Sequence, residues 1–216
     1  MFRLQAPFSM KQALSDLLTL LDLEQIETNL FRGVSPDEGW QRVYGGQVIG
    51  QALVAASRTV DDPSRSAHSL HGYFLRPGDT TCPILYQVDR IRDGRSFTTR
   101  RVKAIQKGQA IFSMSVSFQV MEAGLEHQMT APSAPPPEDC KSEEMLMDEY
   151  LRDVPEADST FVKRPRPIEM RFADPMNDAN PQPLAPEQSV WIKTIDTMPD
   201  DVSLNQCLLA YASDMT

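Results

Sequence analysis

Several groups in the sequence are of kinds that can do chemistry. Asp214 closes a run of small and apolar residues, Leu204-Asn-Gln-Cys-Leu-Leu-Ala-Tyr-Ala-Ser-Asp214. A carboxylate beside an apolar pocket suits general-base work, because partial burial moves its pKa toward the working range; by residue pattern alone, Asp214 reads as an acid at a helix end facing water. His68 and His71 flank Ser69 in an extended run and suggest a base with a nucleophile. Residues three apart in a strand point to opposite faces, so no dyad is implied and both read as structural or substrate-lining. Gly45-Gly46, with Gly50 one turn on, lacks both the Lys-Ser/Thr of a P-loop and the G-x-G-x-x-G order. Amides at such a helix start can polarise a carbonyl or hold an anion; the plainer reading is close packing of helix on sheet. Arg76, in a Pro-Gly turn, and the basic run Arg90, Arg92, Arg95, Arg100, Arg101, Lys103 and Lys107, against the single acid Asp93, suit a small polyanion, or else stud an exposed strand face. Cys207 reads as a buried free thiol.

The elements that must position these groups follow from periodicity. Tyr44 to Ser57 is a long apolar helix: Val48, Ala52 and Ala55 share one stripe, and Ile49, Leu53 and Ala56 the next, so it asks to be enclosed. Leu14, Leu17, Leu18 and Leu21 predict an amphipathic helix over Lys11 to Leu21, with capping-box spacing from Ser9. Leu23 to Gly33 reads as one extended segment. After Asp61-Asp62-Pro63 the period changes to two. His68–Leu75, Ile84–Asp93, Ser96–Gln106 and Ala110–Val120 read as strands, with Asp93-Gly94 and Lys107-Gly108 as hairpin turns. The first unit, residues 10–121, is therefore α+β, with a mainly antiparallel sheet that is polar on one face and covered by the helix on the other. Residues 122–166 form an acidic, Pro-rich linker, with a short helix over Ser142 to Leu151. Over residues 167–216 strands at Ile168–Phe172 and Val190–Ile195 precede the Leu204–Asp214 helix, for which Asp200 and Asp201 are N-terminal acids. A strand, a polar turn and a helix thus recur in outline.

Composition bounds the rest. A sequence of 216 residues with 41% hydrophobic content suffices to bury a substantial core. The apolar runs are too short to span a bilayer, and the first ten residues lack a signal-peptide core. A net charge of −9 argues against nucleic acid as a partner. Cys82, Cys140 and Cys207 have no metal-ligand or Cys-x-x-Cys spacing, so reduced thiols and a cytoplasmic location are expected, with no metal site.

Five segments in order, Tyr44-Gly-Gly-Gln-Val-Ile-Gly-Gln-Ala, His68-Ser-Leu-His-Gly-Tyr-Phe-Leu-Arg-Pro-Gly-Asp79, Arg92-Asp-Gly-Arg-Ser-Phe97, Gly124-Leu-Glu-His-Gln128 and Tyr211-Ala-Ser-Asp214, together resemble the acyl-CoA thioesterase II family. The resemblance implies a double hotdog, two antiparallel sheets each wrapped round a long helix and joined edge to edge, with the second hotdog incomplete and the sequence truncated at its C-terminal end. It implies hydrolysis of acyl-CoA without a cofactor. In that family an Asp late in the second hotdog helix, with a Thr and a Gln from following strands, activates a water; Asp214 matches the Asp, and the Thr and Gln have no counterparts within the sequence. Under the same resemblance Gly45, Gly46, His68, His71 and Arg76 are candidate substrate contacts, and the basic run becomes a candidate for the phosphates of coenzyme A. A hotdog enoyl-thioester hydratase and a non-catalytic acyl-thioester-binding or assembly module are the competing readings. Exposed sheet edges make a homo-oligomer the expectation.

Overall fold

The computed structural model describes residues 10–36, 41–155, 165–177 and 179–215. Two compact units emerge: Leu17–Leu125 with Met198–Thr216, and Glu126–Thr197 with the N-terminal residues through Asp16. The last helix thus groups with the first sheet.

The larger unit is organised round helix α2, Gly45–Ser57, in which ten residues from Gly46 to Ala56 are buried. A six-stranded antiparallel sheet curls about it, in the order β1-β2-β4-β5-β6-β3. The strands are β1 (Glu24–Glu27), β2 (Leu30–Gly33), β3 (Arg65–Phe74), β4 (Ile84–Asp93), β5 (Phe97–Gln106) and β6 (Gln109–Val120). Alternation decides which face meets the helix. On β6, Phe112, Met114, Val116 and Phe118 are buried while Ser113, Ser115 and Ser117 lie on the other face; Ile84, Tyr86 and Val88 do the same for β4. Lys107 and Gly108 both take positive φ, 49° and 74°, the tight two-residue turn whose twist matches β5 and β6.

Three sequence expectations change here. Leu23–Gly33 is a hairpin, β1 and β2 paired antiparallel, because Thr28-Asn29 turns the backbone. His68 and His71 share a face rather than opposing: the register between β3 and β6 slips between Ala67 and Ser69, and the extra residue of such a bulge resets the alternation. His68 Nε2 then lies 2.8 Å from Ser117 Oγ, and His71 pairs in register with Ser115, both on the face away from α2. The basic run, finally, is divided. Arg100 is fully buried, Arg90 pairs with Asp61, and Lys107 pairs with Asp79, leaving Arg92, Arg95, Arg101 and Lys103 exposed.

Helix α1, Met10–Leu21, forms as the leucine spacing predicts, with Leu14, Leu17 and Leu21 buried; the Ser9 cap lies outside the described residues. The smaller unit holds helix α3, Glu143–Asp153, and a sheet of β7 (Lys141–Ser142), β8 (Ile168–Phe172) and β9 (Val190–Thr194) in that order. Ser142 caps α3, its hydroxyl accepting the Met145 N–H at 3.2 Å. Helix α4, Val202–Ala212, is capped by Asp201, whose side chain accepts the Leu204 N–H at 3.0 Å, as a residue at that position should. Cys207, Leu208, Ala210 and Ala212 of α4 are buried, whereas Val202 and Leu209 are exposed.

Candidate active site

The candidate site is the place where the start of α2 meets the end of α4. Packing two helix backbones closely requires small residues at the crossing, and α2 supplies Gly46 and Gly50 four residues apart. A Cβ built on Gly46 would lie 2.1 Å from the Tyr211 carbonyl oxygen, and one on Gly50 would lie 3.3 Å from the Cys207 carbonyl oxygen and 3.2 Å from Leu21 Cδ2. The glycines therefore do serve close packing, but of helix on helix rather than helix on sheet.

The last carbonyls of a helix have no partner inside it, and the end of α4 resolves each one in turn. Leu209 O accepts the Ser213 N–H at 3.0 Å, Ala210 O accepts the Ser213 hydroxyl at 2.7 Å, and Ala212 O accepts the Met215 N–H at 3.0 Å. Tyr211 O accepts the hydroxyl of Tyr44, the residue before α2, at 3.1 Å. The two tyrosine rings meet edge to face, with centroids 5.1 Å apart. Near its start α4 is fixed to β3, where the Gln206 side-chain amide donates to Ala67 O at 2.7 Å and accepts the Ala67 N–H at 3.1 Å. One glutamine thus satisfies the outward backbone groups of an edge strand beside its bulge.

These contacts deliver Asp214. It lies just past the helix, which ends at Ala212 with Ser213 as its C-cap, rather than within the helix as the resemblance implied. Its Oδ2 accepts the Gly46 N–H at 3.0 Å. The N-cap residue of α2, Tyr44, gives no side-chain cap, so a carboxylate 168 residues away takes an orphan N–H at the positive end of the helix dipole. Asp214 Oδ1 has no hydrogen-bond partner among the described residues. Gly45 faces the same carboxylate, since a Cβ built there would lie 2.6 Å from Oδ2 and 2.8 Å from Cζ of Phe74. The Phe74 ring is half-exposed at the end of β3 and packs on buried Phe112 with centroids 5.0 Å apart. The result is a carboxylate with one oxygen anchored and one free among the described residues, beside aromatic and apolar surface, which can hold and deprotonate a water.

Of the candidate residues, Gly45, Gly46 and Asp214 are brought together. His68 and His71 are on the sheet face away from α2, engaged with Ser117 and, ring to ring at 4.8 Å, with Tyr73. Arg76 donates to Ala110 O at 2.7 Å and so braces the turn after β3. Burial pushes the Cys207 thiol up to about 12, which leaves it no thiolate character at neutral pH. Among the described residues no group of three His, Cys, Asp or Glu could hold a metal ion. Sequence reasoning missed Tyr44, Phe74, Gln206 and Tyr211 as positioning elements; Tyr44 and Tyr211 bound the motifs at 44–52 and 211–214, which was the available signal.

Residues 36–119 match the family model for the acyl-CoA thioesterase N-terminal domain, and residues 157–216 match the acyl-CoA thioesterase model. The chain is 42% identical over 205 residues to acyl-CoA thioesterase 2 of Haemophilus influenzae, covering 95% of this chain and 71% of that protein. It is 39% identical to acyl-coenzyme A thioesterase 8 of Homo sapiens, covering 91% of this chain and 64% of that one, so the chain spans about two thirds of these relatives. Among solved structures, acyl-CoA thioesterase II TesB2 from Mycobacterium marinum matches with a TM-score of 0.70 at 42% identity, over 93% of this chain and 68% of that one. A hot dog fold protein from Alicyclobacillus acidocaldarius matches with a TM-score of 0.68 at 18% identity, over 93% of this chain and 69% of that one, which bears on the fold alone.

Proposed function

The chain belongs to the acyl-CoA thioesterase II family, and on that premise we propose that it hydrolyses acyl-CoA thioesters to free fatty acid and coenzyme A with a water activated by Asp214. The observation that carries the reading is the asymmetry of the carboxylate: Oδ2 is committed to the Gly46 N–H at 3.0 Å while Oδ1 is unengaged among the described residues. Oδ1 accepts a proton from the water as its oxygen attacks the thioester carbonyl carbon. The C–S bond then breaks, and the proton passes from Asp214 to the departing thiolate of coenzyme A, which restores the carboxylate. Half-exposed Phe74, beside Gly45, supports binding of an apolar acyl group near the reacting carbon.

Exposed Arg92, Arg95, Arg101 and Lys103 are the candidates of the basic run for the phosphates of the substrate. The three free cysteines support a cytoplasmic setting, and the sheet's terminal strands β1 and β3 support association with further copies.

The test is release of free thiol from acyl-CoAs of several acyl lengths by the full-length protein and by Asp214→Ala. A loss of about 100-fold or more in kcat is expected for removal of a general base. Undiminished turnover in the variant rejects Asp214 as the base; hydration of an enoyl thioester without thiol release, or tight acyl-CoA binding without turnover, would replace the hydrolase reading.

A further inference from the structure

The glycine pair at the start of α2 divides into two different constraints. At Gly46 the nearest obstacle to a side chain is backbone, the Tyr211 carbonyl oxygen at 2.1 Å from a built Cβ, with the Tyr44 ring next at 2.4 Å. The ring could shift, but the carbonyl cannot yield without separating the two helices, so this glycine belongs to the fold. At Gly45 the obstacles are the far ends of two side chains, Asp214 Oδ2 at 2.6 Å and Phe74 Cζ at 2.8 Å. Those atoms can move, and moving them would leave the helix crossing intact while displacing the carboxylate from the Gly46 N–H.

From this difference we infer that Gly45 is a positioning residue: its missing side chain is the space in which Asp214 settles onto the Gly46 amide. The inference rests on the reading of Asp214 as the base and deepens it. A carboxylate free to rotate presents either oxygen in many directions. One held through Oδ2 presents Oδ1 in one direction, and a misplacement of about 1 Å in a reacting group costs on the order of 100-fold in rate. Phe74 closes the other side of the same space, so Gly45 sets the spacing between the base and the aromatic surface as well.

The test uses the full-length protein. Gly45→Ala is expected to lower kcat about 100-fold with KM little changed and the thermal unfolding midpoint retained. Gly124→Ala, where nothing lies within 4 Å of the built Cβ, is the control and keeps full turnover. The double variant Gly45→Ala/Phe74→Leu relieves the ring contact but not the carboxylate contact, and is expected to stay slow. Recovery in the double variant would overturn the inference, because crowding of the ring would then be the cause, and so would full kcat in Gly45→Ala.

A second readout needs no turnover. In the wild-type protein the Gly46 amide resonance should shift with pH as Asp214 takes up its proton, and this shift should disappear in Asp214→Asn and shrink in Gly45→Ala. A Gly46 amide that ignores Asp214 in the wild type overturns the positioning inference and leaves the base reading intact. Full activity in Asp214→Asn overturns the base reading, and with it the catalytic part of the inference, even if the amide still follows the carboxyl.

Discussion

The two ends of α2 each carry a charged side chain of the sign its dipole favours, a carboxylate at the N-terminal end and a guanidinium at the C-terminal end, yet the two are built for opposite purposes. At the C-terminal end Arg100 is fully buried and every N–H is used. Nε donates to Thr59 Oγ1 at 2.9 Å, Nη1 to Arg92 O at 3.2 Å and Thr99 O at 3.1 Å, and Nη2 to Thr59 O at 2.9 Å and Asp93 Oδ1 at 2.6 Å. Five donors meet five acceptors, so nothing remains to offer a substrate. At the N-terminal end Asp214 has spent one oxygen on Gly46 and, among the described residues, kept the other. A saturated charge can only fasten; a charge with one anchored and one open atom is also able to react.

If that distinction holds, removing Arg100 should unfold the protein and leave the chemistry of surviving molecules alone. Arg100→Met leaves the Thr59, Arg92 and Thr99 carbonyls without their guanidinium donors, and a loss of about 3–5 kcal/mol in unfolding free energy is expected from urea titration. Unchanged stability would break the comparison. Gly46→Ala forces a methyl against the Tyr211 carbonyl and should cost about 1–3 kcal/mol by the same measurement, through a helix crossing rather than through a charge.

A smaller effect is expected from Asp93, whose carboxyl is held below the ordinary 3.8 first by the Arg100 hydrogen bond. Its folded-state pKa is depressed, so its contribution is present above the unfolded value of about 4 and is lost as pH falls through the lower folded value. Urea midpoints measured as the pH drops below about 4 should fall less steeply for Asp93→Asn than for the wild type. The smallest effect is expected from His71→Ala. Its ring lies on the face away from α2, so turnover should be unchanged and stability should move by no more than about 0.5 kcal/mol. A large loss of turnover would place chemistry on the outer sheet face and blur the contrast between the helix ends.

Much of this architecture was legible in the sequence because period and turn chemistry are local. Alternation on β4 and β6, Lys107-Gly108 between β5 and β6, and the all-round apolar α2 each state their geometry within a dozen residues. The β1–β2 hairpin and the bulge at His68 were not legible. A two-residue Thr-Asn turn carries a weak signal, and a bulge is decided by the partner strand and not by the strand itself. Asp214 was singled out through resemblance rather than pattern, since its partner Gly46 is 168 positions away. The basic run misled for a related reason: whether an arginine becomes Arg100 or Arg101 depends on which face of β5 it occupies, and composition is blind to faces.

Whether Asp214 acts as the base, with one oxygen held and the other free, is decided by the pH dependence of kcat/KM for thiol release by the full-length protein, wild type against Asp214→Asn. The wild-type rate should fall on the acid side as the carboxylate is protonated, and the Asn variant should be slower by about 100-fold or more and lack that acid limb. An Asn variant with wild-type rate and the same acid limb would contradict it.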